Sequence, residues 1–330
     1  MDKRLGMLIS AVLVAGVAAA TPAQAAGCTW TVEKVRTPAG YEDQRTRVEG
    51  TDSHGNYSGT TSSPASDSAK VVIWNQGEPH LADAFADFMF PNVTDENSAG
   101  TVLVSGSQRS TGRYGIFLYQ NAHTANPTLT YVPAPAGYET DYAVALNERG
   151  DVLGIAHAKD GHQVTVLWSN LAAGPIVIDT PLGTGIDLDD DGTVLLYDGR
   201  SNPAHVWRHG QITPLTGAAG PFVFGAIRSG KVIGYEVTSW PDAQSLLWYD
   251  PASPKAIEDG GTAQAINGRG LIVGSRGTLA GPAAVWRDTT LLAELPLPAG
   301  ESDDDTFVVG DDDSIFGRVS GGGPLRWTCS

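Results

Sequence analysis

Three acidic segments of the sequence contain side chains that could hold a charged or hydroxyl-rich ligand. Each segment begins with the tripeptide Pro-Ala-Gly, at residues 38–40, 135–137 and 298–300. The carboxylates that follow are Glu42, Asp43, Glu139, Asp141, Asp303, Asp304 and Asp305. If they lie together, they create a negative field that attracts cations and accepts hydrogen bonds from hydroxyl groups. The alternative is that the surface loops of an acidic protein are simply acidic and solvated.

Basic side chains occur in loops that we expect at the same end of the molecule. The two that we assign to the ligand site are Arg276 and Arg318, and further candidates are Arg109, Arg113, His157, Lys159, His162 and Arg200. A mixed polar funnel of this kind could bind a small ligand or support acid–base catalysis. The sequence contains no nucleophile elbow, P-loop, HExxH motif or dinucleotide fingerprint, so we assign no catalytic residue.

One segment resembles the start of a calcium-binding loop. Residues 187–192 read Asp-Leu-Asp-Asp-Asp-Gly, which matches the D-x-D-x-D-G pattern and predicts calcium ligands at Asp187, Asp189 and Asp191. The alternative is structural, because Asp189 and Gly192 also fit a turn that recurs along the chain. In a hairpin, Asp198 at the twelfth position would lie too far along the strand to close the loop. Calcium is the one cofactor that the sequence suggests.

The elements that would position these residues are repeated. An aromatic residue ends an apolar run in each unit, at Trp74, Tyr119, Trp168, Trp207, Trp248, Trp286 and Trp327. The intervals are 38 to 49 residues, the length of a four-stranded propeller blade. A tryptophan row could be a stacking platform for sugars or bases, but its regular recurrence favours packing between blades.

A turn recurs near the start of most units. It reads Asn-Glu-Arg-Gly at 147–150, Asp-Asp-Asp-Gly at 189–192 and Asn-Gly-Arg-Gly at 267–270, with a related Asp-Ser-His-Gly at 52–55. Asn or Asp opens such a turn by bonding its own backbone, and Gly accepts the positive φ angle. A short apolar strand follows, so the pattern predicts a hairpin between the first two strands of each blade.

The seventh unit stops one strand short, and the missing strand lies at the other end of the mature chain. Residues 29–38 resemble the fourth strands at 129–137 and 291–300. The sequence therefore predicts an all-β, seven-bladed propeller whose last blade is closed by the N-terminal strand, which removes exposed sheet edges. The two cysteines, Cys28 and Cys329, would flank this junction and form a disulfide there.

These repeats resemble the HAF-type repeats of bacterial extracellular proteins. The resemblance lies in an A-x-A-[IL]-N-x-x-G-x-[IV]-[VL]-G run at 143–154 and 263–274, followed by an [AH]-x-[LV]-W run whose best copy is 204–207. It covers essentially the whole mature chain and is clearest in units three to six. The resemblance implies a secreted propeller without a common active site. No Asp follows any of the seven aromatic residues, so the repeats differ from the WD type.

The remaining features indicate export. Residues 1–25 combine a basic start, an apolar run and an Ala-Gln-Ala end, which is typical of a secretory signal peptide. Residues 26–330 then form one domain, and no later run is long enough to span a membrane. The formal net charge of −16 argues against nucleic acid as a partner. We expect a secreted, extracellular monomer.

The sequence as a whole favours a secreted binding module. Its polar, acidic channel mouth would present the candidate residues to a small-molecule, glycan or protein ligand. The alternative is an extracellular hydrolase, lyase or isomerase with its active site at the same mouth, because propeller enzymes need no linear motif.

Overall fold

A computed structural model of the chain describes residues 28–63, 69–169, 171–172, 174–199, 203–218, 222–299, 301, 304–319 and 322–330. These residues form 28 β-strands and two short 3₁₀ helices, Asp43–Arg45 and Asp83–Phe85. None of the described helices has the length and apolar character needed to cross a membrane. The predicted signal peptide, residues 1–25, lies outside the described residues.

The strands form seven antiparallel sheets of four, and we number these blades along the chain. Blade 1 contains Arg47–Thr51 (β2), Tyr57–Ser62 (β3), Ala69–Asn75 (β4) and Glu78–Leu81 (β5). Blade 2 contains Phe88–Glu96 (β6), Val102–Gln108 (β7), Arg113–Gln120 (β8) and Thr128–Val132 (β9). Blade 3 contains Tyr138–Leu146 (β10), Val152–Ala158 (β11), Gln163–Trp168 (β12) and Ile176–Ile178 (β13). Blade 4 contains Thr184–Leu188 (β14), Val194–Tyr197 (β15), His205–Arg208 (β16) and Gln211–Pro214 (β17).

The other three blades continue the same order. Blade 5 contains Phe222–Arg228 (β18), Lys231–Ser239 (β19), Asp242–Trp248 (β20) and Pro254–Ala256 (β21). Blade 6 contains Gly260–Ile266 (β22), Leu271–Arg276 (β23), Ala283–Arg287 (β24) and Thr290–Glu294 (β25). Blade 7 contains Asp304–Val309 (β26), Ile315–Val319 (β27) and Pro324–Cys329 (β28), and its outer strand is Trp30–Lys34 (β1). Successive innermost strands contact each other around the ring, and β26 contacts β2, so the ring is closed.

The predicted closure of the seventh blade is confirmed. Strand β1 pairs antiparallel with β28, with Trp30 opposite Cys329 and Lys34 opposite Leu325. The Cys28–Cys329 disulfide joins the two strands at the same end, across 301 residues of sequence and a Cα–Cα distance of 5.5 Å. The bond thus occupies the place of the turn between third and fourth strands, as the sequence predicted.

Each innermost strand contains a β-bulge, which bends the strand that lines the central channel. The pairing of first and second strands shifts by one residue at Glu49, Thr94, Val144, Ile186, Gly225, Gln264 and Phe307. A bulge increases local twist and changes the direction of the side chains that follow it. Because all seven strands share this irregularity, equivalent positions of every blade face the same level of the channel.

The tryptophan row joins neighbouring blades. Five of these residues are less than 2% exposed, and each donates its indole N–H to a backbone carbonyl just after the outer strand of the preceding blade. The bonds run from Trp74 to Arg36 (2.7 Å), Trp168 to Pro133 (3.0 Å), Trp248 to Thr216 (2.9 Å), Trp286 to Glu258 (2.7 Å) and Trp327 to Pro296 (2.7 Å). Seven apolar clusters of described residues fill the blade interfaces. The row is therefore packing and not a binding platform.

The turns between first and second strands meet around one end of the channel, which we call the turn face. Gly150 and Gly270 adopt φ angles of +79° and +78°, as the predicted turn requires. The turns also bond to one another between blades: Asn97 to the Asn147 carbonyl (3.1 Å), Asn147 to the Asp189 carbonyl (3.0 Å), and Asn267 to the Gly310 carbonyl (2.8 Å). The opposite end, where fourth strands connect to first strands and second to third, is the loop face.

Candidate functional site

Glu42 and Asp43 lie on the loop face, where their carboxylates have local partners. Glu42 accepts a hydrogen bond from Gln44 at 3.0 Å and lies 3.5 Å from the guanidinium of Arg45. The hydroxyl of Thr37 donates to Asp43. This first predicted pair therefore belongs to a locally bonded segment around the 3₁₀ helix.

Glu139 and Asp141 are brought together by a histidine. His157 Nδ1 contacts Asp141 Oδ1, and His157 Nε2 lies 3.9 Å from Glu139 Oε2. Gln163 donates to the other Asp141 oxygen at 3.1 Å. Within the described residues, neither ring nitrogen of His157 contacts a Ser, Thr or Cys side chain. The cluster is thus a set of positioned carboxylates with no adjacent nucleophile.

The other ligand-site candidates lie in blades 6 and 7. Arg276 is paired with Glu294 of blade 6 at 2.6 Å and with Asp259, in the segment that leads into blade 6, at 2.9 Å. Asp303 lies outside the described residues, while Asp304 and Asp305 belong to β26. Arg318 lies opposite Asp305 in the pairing of β26 with β27. Of the predicted carboxylates, Glu139 and Asp141 are the pair that the structure shows sharing a partner.

Asp187 and Asp189 bond to backbone N–H groups of blade 5. Asp187 Oδ2 accepts from the Ile227 N–H at 2.7 Å. The two oxygens of Asp189 accept from the Ser229 and Gly230 N–H groups, each at 2.7 Å. The structure therefore gives both carboxylates a role in joining blade 4 to blade 5.

Asp191 pairs with Arg208 at 2.8 Å and accepts a hydrogen bond from the Thr193 N–H at 2.9 Å. Across the described ranges, no group of three or more His, Cys, Asp or Glu side chains is arranged to hold a metal ion. Calcium at Asp187, Asp189 and Asp191 stays a prediction of the sequence.

The central channel contains a cavity of about 240 Å³ toward the turn face. Residues from all seven blades line it, and seven of them are carboxylates: Glu49, Asp95, Glu96, Glu148, Asp187, Asp190 and Asp311. Arg228 is the one basic side chain among the described lining residues. The cavity is therefore strongly acidic, with a single guanidinium inside it. We call it the channel cavity.

Asp95 and Asp187 occupy equivalent positions, directly after the bulges of β6 and β14. Asp95 Oδ2 accepts from the Leu146 N–H of the next blade at 2.9 Å, as Asp187 accepts from Ile227. Arg228 extends between them and donates to the Leu188 carbonyl at 2.8 Å. In the part of the chain that the structure describes, this guanidinium has no carboxylate oxygen within 4 Å, although the charges of Asp187 and Asp95 act on it.

The position of these groups shifts their ionisation. Burial raises the pKa of Asp95 to about 7, and the nearby Arg228 offsets this only in part. Burial likewise raises the pKa of Glu49 to about 7, against the hydrogen bond from Thr60 and the charge of Arg47. Both side chains keep some accessible surface because they line the channel, but they lie deep enough for desolvation to dominate.

The pKa values of two more charged groups at this level of the channel, Asp187 and Arg228, are also shifted. Burial raises the pKa of Asp187, opposed chiefly by Arg228. Burial alone would lower the pKa of Arg228, but the carboxylates of Asp187 and Asp95 outweigh it and raise that pKa. Deep ionisable groups with shifted pKa values that converge on one cavity are typical of functional sites, although structural networks produce them too.

Glu96 adds a buried acceptor at the cavity wall. Its Oε1 contacts His123, whose other ring nitrogen lies 2.7 Å from Asn75 Oδ1. The side chain is fully buried, yet Oε2 has no hydrogen-bond partner among the described residues. Burial raises the pKa of Glu96, while the neighbouring His123 and Ser58 side chains lower it in part. A buried carboxylate oxygen of this kind favours an added donor.

Sequence reasoning did not identify Glu49, Asp95, Glu96 and Arg228 as site residues. The sequence does contain one signal for this site, which is a charged residue at a repeat position that is small in other blades. Asp187 takes the position of Ala145 and Ala265, and Asp95 takes the same position in blade 2. Arg228 stands where other turns have Asn or Asp. A charged residue at a position that other blades fill with alanine was therefore the signal from which the sequence could have predicted this site.

Comparison with known proteins finds the fold but no family. No protein family profile matches the chain, and no curated relative does either. A structure from a study of two prolyl endopeptidases has 11% identity and a TM-score of 0.57, covering 85% of this chain and 47% of that one. Pyrococcus horikoshii acylaminoacyl peptidase has 11% identity and a TM-score of 0.51, covering 85% and 51%. An uncharacterized protein of Listeria monocytogenes EGD-e has 9% identity and a TM-score of 0.53, covering 87% and 92%.

Identities this low show a shared propeller fold and nothing about activity. The chain spans about half the length of the two peptidase structures that it matches. The choice between a binding module and an enzyme therefore rests on the chain's own side chains.

Proposed function

We propose that this protein is an extracellular binding module that takes a small organic cation into the channel cavity from the turn face. The observation that supports this most strongly is the composition of the cavity wall, with seven carboxylates and one arginine around about 240 Å³. Even with Asp95 and Glu49 partly protonated near pH 7, the cavity keeps a negative charge. Such a field concentrates cations and speeds their encounter with the site.

The geometry favours an amine over a metal ion. Oxygens of Asp95 and Asp187 already accept backbone N–H groups, which leaves fewer lone pairs for the closed set of oxygen ligands that a metal ion needs. An ammonium group donates three hydrogen bonds and needs no closed set of oxygen ligands. The carboxylates at the turn face, Glu148, Asp190 and Asp311, are suitable acceptors.

The size of the cavity limits the ligand. Its volume lies near the lower end of small-molecule pockets, roughly 300–1,000 Å³. An aliphatic diamine or triamine fits such a space, whereas a folded peptide does not. We therefore infer a flexible amine as the ligand class.

Extracellular location rests on two features. Residues 1–25 have the composition of a signal peptide, and the Cys28–Cys329 disulfide is of the kind that forms in oxidising compartments. We retain membership of the HAF-type repeat family as part of the proposal, on the repeat motifs alone. The enzyme alternative has less support, because both nitrogens of His157 face carboxylates.

Isothermal titration with putrescine and spermidine at pH 8 and low salt tests the binding function. The informative variant is Asp190→Asn combined with Asp311→Asn. Each asparagine keeps an acceptor for the backbone N–H that the aspartate now binds, from Glu148 at 3.1 Å and Gly268 at 2.8 Å. Loss of two negative charges within a Debye length of the ligand should weaken spermidine binding about tenfold.

The matched control removes two carboxylates on the loop face, Asp160→Asn with Asp179→Asn, and should leave the affinity within twofold of wild type. If neither amine binds below 10 mM, on the order of the weakest affinities that titration detects, the proposal is wrong. It is equally wrong if the loop-face pair weakens binding as much as the turn-face pair.

A further inference from the structure

The carboxylates of the channel cavity lie at two levels, and those of the deep level are already bonded. Asp95 and Asp187 project from strands β6 and β14, directly after the bulges of those strands. Each carboxylate oxygen accepts one backbone N–H, at 2.8 and 2.9 Å for Asp95 and at 2.8 and 2.7 Å for Asp187. Every oxygen of this deep pair therefore has a donor before any ligand enters.

The outer level consists of Glu148, Asp190 and Asp311, which lie in turns at the turn face. One oxygen of each side chain accepts a backbone N–H: Glu148 Oε2 from Ser98 at 3.0 Å, Asp190 Oδ1 from Glu148 at 3.1 Å, and Asp311 Oδ1 from Gly268 at 2.8 Å. The second oxygen of each forms no hydrogen bond with the part of the chain that the structure describes. These second oxygens are thus available to the donors of a ligand at the mouth of the cavity.

Arg228 brings a positive charge of the chain itself to the deep level. Its guanidinium extends between Asp95 and Asp187 and donates one N–H to the Leu188 carbonyl at 2.8 Å. Burial would lower the pKa of Arg228, but the charges of Asp187 and Asp95 outweigh this effect and raise it. The guanidinium therefore stays charged, and the deep carboxylates have a cation near them before a ligand binds.

The turn that carries Arg228 is held against blade 4. Arg228 ends β18 and pairs with Lys231 across the hairpin. The two residues between them, Ser229 and Gly230, both donate their backbone N–H groups to Asp189, at 2.7 Å each. Because these bonds fix the backbone of the turn, the Arg228 side chain projects into the channel from a fixed position.

A ligand ammonium at the deep level would lie beside this guanidinium. Like charges at close range repel strongly where the effective dielectric constant is low, and the ammonium would find no deep oxygen without a donor. Asp190 of the outer level acts on the pKa of Arg228 less than the deep pair does, which indicates a greater distance from the guanidinium. Charge and hydrogen bonding therefore both favour the outer level for a bound ammonium.

We propose that Arg228 determines the specificity of this site by closing its deep end to cations. The inference rests on the proposed function and concerns the number of ammonium groups that a ligand can use. Ammonium groups bind at the outer carboxylates, and a chain long enough to extend down the channel meets the guanidinium. A diamine therefore satisfies the site, and a third ammonium adds little affinity. The ligand class is narrowed to short diamines.

Isothermal titration with putrescine and spermidine at pH 8 and low salt tests this role through the ratio of the two affinities. Wild-type protein should bind spermidine at most about threefold more tightly than putrescine. Arg228→Gln removes the charge and keeps an amide donor for the Leu188 carbonyl. It should raise the spermidine-to-putrescine ratio by about tenfold or more, because the third ammonium can then enter the deep level, while putrescine affinity stays within about threefold of wild type.

Arg269→Gln is the matched control for a lost positive charge. Arg269 is exposed in the turn of blade 6, on the same face of the propeller, and does not line the channel cavity. The ratio should stay within about twofold of wild type, because an exposed charge outside the cavity is screened by solvent.

An unchanged ratio in Arg228→Gln overturns the inference. An equal gain for both amines overturns it as well, because Arg228 would then act only through the net charge of the cavity. If Arg228→Gln does not fold, the charge-balanced variant Asp95→Asn with Arg228→Gln replaces it, and the ratio must rise there too because Asp187 remains at the deep level. If wild type binds putrescine and the ratio never changes, this inference alone fails. If neither amine binds wild type below about 10 mM, the proposed function fails with it.

Discussion

At the scale of single residues, the channel depends on carboxylates that serve two purposes. Asp95 and Asp187 each accept a backbone N–H from the next blade while they line the channel cavity. The bonds hold the carboxyl groups deep in the protein, where desolvation raises their pKa values. The bonds between blades and the proposed ligand site therefore use the same carboxylates, whose ionisation affects stability.

The pH dependence of folding follows from Asp95. Its pKa rises from 3.8 to about 7 on folding, so between these values the folded protein keeps a proton that the unfolded chain releases. This contribution to stability is complete below the unfolded pKa and is lost as the pH rises through about 7. Glu49, raised from 4.5 to about 7, acts in the same direction.

Asp95→Asn resembles the protonated carboxyl group at every pH. Urea denaturation between pH 4 and pH 9 should show wild-type stability falling with pH and a shallower slope for the variant. Asp160→Asn, on the exposed loop face, provides the comparison and should keep the wild-type slope. If the free energy of unfolding of the wild-type protein rises between pH 5 and pH 7, the raised pKa that we assign to Asp95 is wrong.

At the scale of elements, the turns of the turn face are bonded parts of a ring. Asn267 is 2% exposed and forms bonds on both sides of a blade interface. It donates to the Gly310 carbonyl at 2.8 Å and accepts from its own Leu271 N–H at 2.8 Å. In the turn of blade 5, residues 228–231, Arg228 takes the place of Asn267, and the next residue, Ser229, is exposed.

Asn267→Ala should lower the free energy of unfolding by roughly 2–3 kcal/mol, because it leaves buried donors and acceptors unpaired on two blades. Ser229→Ala is the control, and we expect a change within about 0.5 kcal/mol. Urea denaturation of both variants measures the difference. Equal stability of the two variants would show that the turn ring is maintained by packing alone.

The sequence predicted these elements well because they repeat. The spacing of Trp168, Trp207 and Trp248 marks each third strand, and residues 29–38 complete the pattern at the closure. The site was less predictable for a physical reason. Asp95 and Arg228 are 133 residues apart and meet across the channel, so no local spacing relates them. Glu42 and Asp303 share a sequence context with Asp141, but a loop's partners depend on the blade beside it, and Glu42 proved to be locally bonded.

At the scale of the whole molecule, closure depends on the chain ends. Blade 7 joins strands from both ends, and the disulfide closes a loop of 301 residues. In the chain-entropy model, cross-linking a loop of that length stabilises the folded state by about 5–6 kcal/mol, less any residual order in the unfolded chain. The remaining six blades close with ordinary hairpins.

Reduction of the disulfide should therefore lower the melting temperature and open blade 7 first. Hydrogen exchange under reducing conditions is the measurement, and protection should fall in β1 and β28 before it falls in β10–β12. The Cys28→Ser, Cys329→Ser double variant should behave like the reduced protein. If blade 3 loses protection before blade 7, the closure is not the weakest junction of the ring.

The tryptophan row also makes the intrinsic fluorescence of the protein a probe of its structure. Five indoles are less than 2% exposed in one repeated environment, whereas Trp240 is 83% exposed on the loop face. Buried indoles emit at shorter wavelengths than hydrated ones, and a small aqueous quencher reaches only the latter. The red edge of the emission spectrum thus reports on the hairpin of blade 5, and the blue edge reports on the separation of blades. Changes in the hairpin of blade 5 and loosening of the ring can be followed in the same cuvette without a label.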